Sequence, residues 1–189
     1  MKTYQLLITL RGVQPKIWRR LLVDPRTNMA DFHLILQTTM GWTNSHLHSF
    51  NVGRKEYAPV DFEMDGTNDY AGLKLNKLLL KEGQKMTYVY DMGDFWEHEI
   101  LLEAIIQDDP AELLPRCIAG KRSSPLEDSG GAHGYMELLK AVGNPKHPEY
   151  EEIAEWASNF DPEFFDMDMI NAMLQEKDFG CIDPDPDLF

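Results

Sequence analysis

YVYDMGDFWEHEI, Tyr88 to Ile100, decides the fold. Apolar and polar residues alternate on both sides of Asp91-Met92-Gly93-Asp94, the pattern of two strands joined by a tight turn. Before the turn, Met86, Tyr88 and Tyr90 share one side of a strand. After it, Trp96, His98, Ile100, Leu102, Ala104 and Ile106 share a side, with Phe95, Glu97, Glu99, Leu101 and Glu103 opposite. The first side is the one to be buried, and His98 stands in its middle. The segment therefore places two aspartates, a tryptophan and a histidine beside an aromatic wall.

Working outward, Tyr4–Arg11 and Lys16–Val23 alternate around a Gly12–Pro15 turn and read as an antiparallel hairpin. Arg19 and Arg20 interrupt its two faces, so neither is assigned to the core. Met29–Met40 has helical spacing at Phe32, Ile35, Leu36 and Thr39, with Asn28 as N-cap and Gly41 in position for a left-handed C-terminal residue. Trp42 is expected to pack back on this helix. Ser45–Arg54 reads as a strand with His46, His48, Phe50 and Val52 on one face, followed by an acidic connection over 59–70 and a short helix over Leu73–Leu80. Arg116–Gly120 reads as a strand. Helices are expected over Tyr135–Val142, from Pro148 to Ser158, and from Asp161-Pro162 with Phe165, Met169, Ile170, Met173 and Leu174 as its stripe. Strands first and helices last predict an α+β fold with an antiparallel sheet. The expected organisation is one domain, sheet-rich over 1–122, with a loop at 123–134, helices over 135–178 and a tail at 179–189.

Composition narrows the function classes. A hydrophobic fraction of 43% supports a real core. No run approaches the roughly 18 apolar residues of a membrane span. Gln5, Thr9 and Arg11 break up the N-terminal apolar run, so it reads as a strand and not a secretory leader. Cys117 and Cys181 are two cysteines without CxxC spacing, which predicts free thiols and a cytoplasmic protein. The net charge of −14 lies entirely in residues 101–189, since residues 1–100 hold 12 basic and 12 acidic residues and cancel. The local basic group, Arg11, Lys16, Arg19, Arg20 and Arg26, reads as charge on strand edges before it reads as a phosphate-binding patch. A protein or small-ligand partner is favoured over nucleic acid.

The runs IWRRLLV, MGW, HLHSF, YDMGDFWEH, PLEDSGG with GY, NPKHPE and FDPEFF occur in this order between about Tyr4 and Asn171. Together they resemble the plasmid pRi Orf-three-like family, also met as an insertion-element passenger protein. The resemblance implies an α+β domain of unestablished role, and its passenger label associates it with resolvases. Met92 stands where the family usually has Phe, a conservative change. Ser124 stands where the family often has Cys, which argues against thiol chemistry.

Three functional readings follow. The leading one is a non-catalytic binding or accessory domain whose pocket is lined by Asp91, Trp96 and His98. The second is a metal-assisted hydrolase. In it His46, His48 and His98 hold zinc or manganese, and Asp94, Glu127 or Asp128 supply acid–base chemistry. The third is a DNA-transaction protein with Arg19 and Arg20 on phosphates. Against the metal, Asp91 and Asp94 are natural turn residues and His98 can be a hydrogen-bonded core histidine. No GxSxG elbow is present, and no GK[ST] follows Gly130-Gly131. The arginines have no evident serine partner for recombinase chemistry.

Overall fold

The hairpin of strands β6 (Lys85–Tyr90) and β7 (Trp96–Gln107) forms as its alternation requires, pairing Tyr88 with His98 and Tyr90 with Trp96. The computed structural model describes residues 2–107, 113–142, 144, 146–148, 150, 151, 157 and 160–181. Around the hairpin lie β1 (Lys2–Leu10), β2 (Trp18–Val23), β3 (His48–Val52), β4 (Lys55–Ala58), β5 (Asn68–Asp69) and β8 (Arg116–Lys121). All belong to one eight-stranded sheet in the order β5-β4-β3-β6-β7-β1-β2-β8. The helices among the described residues are α1 (Met29–Met40), α2 (Leu75–Leu78), α3 (Gly131–Val142) and α4 (Met167–Met173).

The fold is thus α+β, but the sheet is mixed and not purely antiparallel, because β5 joins β4 in parallel through Tyr57↔Asn68 and Ala58↔Asp69. The chain leaves β4, turns through a 3₁₀ segment at Val60–Phe62 and re-enters in the same direction. A two-residue strand carries no alternation to reveal it. The expected strand over 45–54 is likewise two: Gly53, at φ +63°, turns β3 into β4. At its other end β3 begins only at His48, so His46 precedes the strand and does not alternate with His48 along it.

One face of the sheet is the core face. Its rows run across strands, for example Arg19–Ile8–Ile100–Met86 and His48–Tyr90–Trp96. A bulge shifts the pairing of β1 and β7: Gln5 faces Ala104 but Leu6 faces Leu102, leaving Glu103 as the extra residue. Beyond it Ile105, not Ala104 or Ile106, takes the core side opposite Tyr4. Glu103 is held on the outer face by Arg20 at 2.6 and 3.0 Å and by Gln5 at 2.9 Å.

Helix α1 crosses the core face. Asn28 caps it by accepting from the Asp31 amide at 2.8 Å, and Gly41, at φ +75°, closes it with its N–H on the carbonyls of Gln37 and Thr38. It is buried beyond the expected stripe, with His33, Gln37 and Thr38 also inside. The 177–180 segment covers its far side, where Thr38 Oγ1 donates to the Phe179 carbonyl at 2.8 Å.

The helix expected over 73–80 shrinks to Leu75–Leu78. Helix α3 starts at Gly131 and not Tyr135, inside the segment expected to be loop. Helix α4 starts at Met167 with Asp166 as its cap, because Asp161 is taken up in a separate turn that binds the amides of Glu163 and Phe164. The helix expected from Pro148 to Ser158, with Trp156, falls largely outside the described residues, as does the tail Asp183–Phe189. At the sheet edge, Asn171 of α4 accepts from the Cys117 amide at 2.7 Å and donates to the Cys117 carbonyl at 2.9 Å.

Candidate functional site

The turn after β6 is built on Asp91. Its backbone is left-handed, at φ +61°, a conformation Asp tolerates better than most residues. Its Oδ1 accepts from the amides of Gly93 at 2.8 Å and Asp94 at 3.2 Å, and its carbonyl accepts from Phe95 N–H at 2.7 Å. Asp94 Oδ2 accepts from the Gly130 amide at 3.1 Å, tying the turn to the 123–130 segment. A Cβ on Gly131, whose φ is +66°, would stand 2.4 Å from the Asp94 carbonyl oxygen, so this close approach requires glycine.

The same segment is anchored to the end of α1. Trp42 Nε1 donates to the Pro125 carbonyl at 3.0 Å. The Glu127 carboxylate accepts from Tyr90 Oη and from Thr43 Oγ1, both at 2.6 Å. Burial, and then this acidic partner, raise the Tyr90 phenol above its ordinary pKa. Glu127 is thus engaged by two hydroxyls, and Asp94 by a backbone amide.

Trp96 and His98 lie behind this turn and are essentially fully buried, so neither side chain is open to solvent. His98 Nδ1 faces the Tyr88 carbonyl at 3.4 Å, its ring meets Trp42 edge-on, and its Nε2 has no partner among the described residues. Desolvation lowers its pKa to about 4.

His48 is buried as well, with Nε2 on Tyr70 Oη at 2.7 Å and its ring parallel to that of His33 at a centroid distance of 3.4 Å. Burial, reinforced by this neighbour, holds His48 well below the usual histidine range. Desolvation likewise brings His33 to about 4. The three expected metal ligands therefore do not converge. His48 and His98 each pack against the Tyr88 ring, at centroid distances of 6.1 and 5.4 Å, and the group of histidine and carboxylate ligand atoms brought together among the described residues is His46, Asp91 and Asp128.

The sequence reading missed a closed polar ring beside these histidines. Gln37 Nε2 donates to Tyr88 Oη at 2.8 Å, Tyr88 Oη contacts His33 Nδ1 at 2.8 Å, and His33 Nε2 contacts Asn44 Oδ1 at 2.6 Å. The Asn44 amide then donates to Gln37 Oε1 at 3.0 Å. Asn44 Oδ1 is an acceptor, so the His33 proton sits on Nε2 and Tyr88 donates to Nδ1. The available signal was His33 and Gln37, two polar residues one helical turn apart.

The arginines have other duties than phosphate binding. Arg11 pairs with Glu97 and Glu99, and Arg20 with Glu103. Arg19 is 3% exposed and donates to the carbonyls of Thr39, Trp18 and Lys121 and to Ser124 Oγ, with Phe165 stacked on its guanidinium at 4.8 Å. Desolvation lowers its pKa to about 10. Among the described residues no carboxylate pairs with it. Ser124 serves here as an acceptor for Arg19. Neither cysteine is in a disulfide, and Cys117 is buried.

In front of Arg19 opens a cleft of about 500 Å³ between the end of α1, residues 123–127 and the 160–173 segment. Its walls include Met40, Trp42, Leu126, Phe164, Phe165 and Met169. Among the described residues no helix is long and apolar enough to cross a membrane.

Residues 2–169 match the family described as plasmid pRiA4b ORF-3-like protein. The uncharacterized protein y4hQ of Sinorhizobium fredii is 35% identical over 159 residues, covering 83% of this chain and 81% of that protein. The crystal structure of MM3350, a protein of unknown function from Methanosarcina mazei Go1, superimposes with a TM-score of 0.79 at 34% identity, over 88% of this chain and 96% of that one. The chain belongs to the plasmid pRiA4b ORF-3-like protein family.

Proposed function

We propose that the protein is a non-catalytic binding domain whose ligand is a small amphipathic molecule with an apolar body and an anionic head. The observation that carries this reading is Arg19. Its charge lies at the base of an apolar cleft, desolvated and without a carboxylate partner among the described residues. A buried cation is costly until it is paired, and a ligand anion supplies the pair. The cleft volume of about 500 Å³ is that of small-molecule sites in general. Phe165 and Met169 provide apolar contact, and Met169, half exposed, leaves the mouth open. The reading takes residues 1–189 as one domain and places it in the cytoplasm, where cysteines outside disulfides are usual. The mobile-element association of the family suits an accessory role.

Decanoate and decanol separate the contributions of head and tail. Decanoate is expected to bind at least tenfold more tightly than decanol, the worth of a charge-assisted hydrogen bond of about 1.5–3 kcal/mol. Met169→Trp, which fills the mouth, is expected to abolish both. Calorimetry showing equal affinities, or no binding of either, overturns the proposal.

A further inference from the structure

On the outer side of the Asp91 turn, three donor atoms converge from three parts of the chain. His46 Nε2 lies 3.8 Å from Asp91 Oδ2 and 3.7 Å from Asp128 Oδ1, and all three atoms lie within 4.8 Å of one another. These separations exceed a hydrogen bond, whose limit is about 3.2 Å. They are near the edge of about 3.4 Å expected between ligands arranged tetrahedrally at 2.0–2.2 Å from one ion.

Asp91 gives the second indication. Its side chain is only 9% exposed. Oδ1 is taken up by the amides of Gly93 and Asp94, whereas Oδ2 points at His46 and has no hydrogen-bond donor among the described residues. Oδ2 is thus the open oxygen of a largely buried carboxylate, aimed at the imidazole and available to a cation.

The surroundings hold the donors in place. The His46 ring meets Tyr90 edge-on at 5.6 Å. Asp128 sits between Glu127, bound by Tyr90 and Thr43, and Gly130, bound by Asp94. Its side chain is 79% exposed, so it is free to swing inward and shorten the carboxylate–carboxylate distance.

We propose that His46, Asp91 and Asp128 form a site for a divalent transition-metal ion of the zinc or manganese class, with water completing the coordination shell. One imidazole nitrogen and two carboxylate oxygens are a donor set suited to such ions. The site is independent of the cleft at Arg19. An ion there ties the 123–130 segment to the β6–β7 turn, and so fixes Glu127 at the border of that cleft.

The test uses the full chain, stripped with a chelator and desalted, titrated calorimetrically with zinc chloride and separately with manganese chloride. One ion per chain is expected for at least one metal, with affinity reduced tenfold or more in both His46→Gln and Asp128→Asn. Circular dichroism in chelator is expected to be the same for all three proteins, which separates lost ligation from lost folding. Absence of binding by either metal overturns the proposal. So does stoichiometric binding retained at parent affinity by either variant, which would place the ion on other ligands.

Discussion

Between pH 6.5 and 4 the protein is expected to lose stability steeply, with an uptake of about three protons on unfolding. His33 and His98 have folded-state pKa values of about 4, and His48 lies well below its ordinary value of 6.5, all chiefly through desolvation. In the unfolded chain each returns to about 6.5. Above that pH neither state holds the protons, and the neutral imidazoles cost nothing extra. As pH falls, the unfolded state binds protons that the folded state refuses, so unfolding becomes more favourable down to the folded pKa values. Each group contributes about 1.4 kcal/mol per pH unit, or roughly 4 for the three together. That slope is large against a typical total of about 5–15 kcal/mol. Urea titrations at pH 7, 6 and 5 measure it directly. His98→Leu is expected to remove about one proton from the slope. A stability unchanged from pH 7 to 5 contradicts the burial of these rings as neutral species.

Tyr88→Phe is expected to destabilise the protein by about 3 kcal/mol at neutral pH. The change deletes one oxygen and opens the ring of Gln37, Tyr88, His33 and Asn44 at two bonds. The Gln37 amide and His33 Nδ1 are then left without their partner in a dry interior, each orphan costing about 1–3 kcal/mol. The urea midpoint should fall while the dependence on denaturant concentration stays the same. Replacing Gln37 and His33 by Leu together with Tyr88→Phe should recover part of the loss, because no polar atom is then stranded. A loss below about 1 kcal/mol for Tyr88→Phe alone shows that water or another group fills the gap.

The parts of this molecule legible in the sequence are those set by local pattern. The 88–100 hairpin and the caps at Asn28 and Gly41 follow from alternation and cap chemistry, whereas Trp42, expected on the helix, stacks on Tyr90 at 4.9 Å. The site was not legible in the same way: the sequence reading grouped His46 with His48 and His98, whereas the ligand atoms that come together are those of His46, Asp91 and Asp128. What escaped depends on partners distant in sequence. The Glu103 bulge exists because Arg20 and Gln5 reach that carboxylate. Helix α3 starts in Gly-Gly-Ala-His-Gly, a poor helix-forming run, because the chain there presses against Asp94 and Ser129 at distances that admit no Cβ. Arg19 looked like a surface cation, yet it packs on the core face under Phe165, which Gly120 makes room for. His46 and His48 seemed equivalent, but β3 begins only at His48 and leaves His46 in the preceding bend.

The double contact of Asn171 with Cys117 bears on self-association. Strand β8 ends the sheet, and an open rim of amides and carbonyls invites a strand from another molecule. One carboxamide occupies both backbone groups of Cys117 at 2.7 and 2.9 Å, as a neighbouring strand would, and Gln175 takes the Pro115 carbonyl at 2.9 Å. The rim is thereby plugged by the protein's own helix. Asn171→Ala should unplug it, and the variant should form concentration-dependent oligomers on size-exclusion chromatography where the parent protein does not.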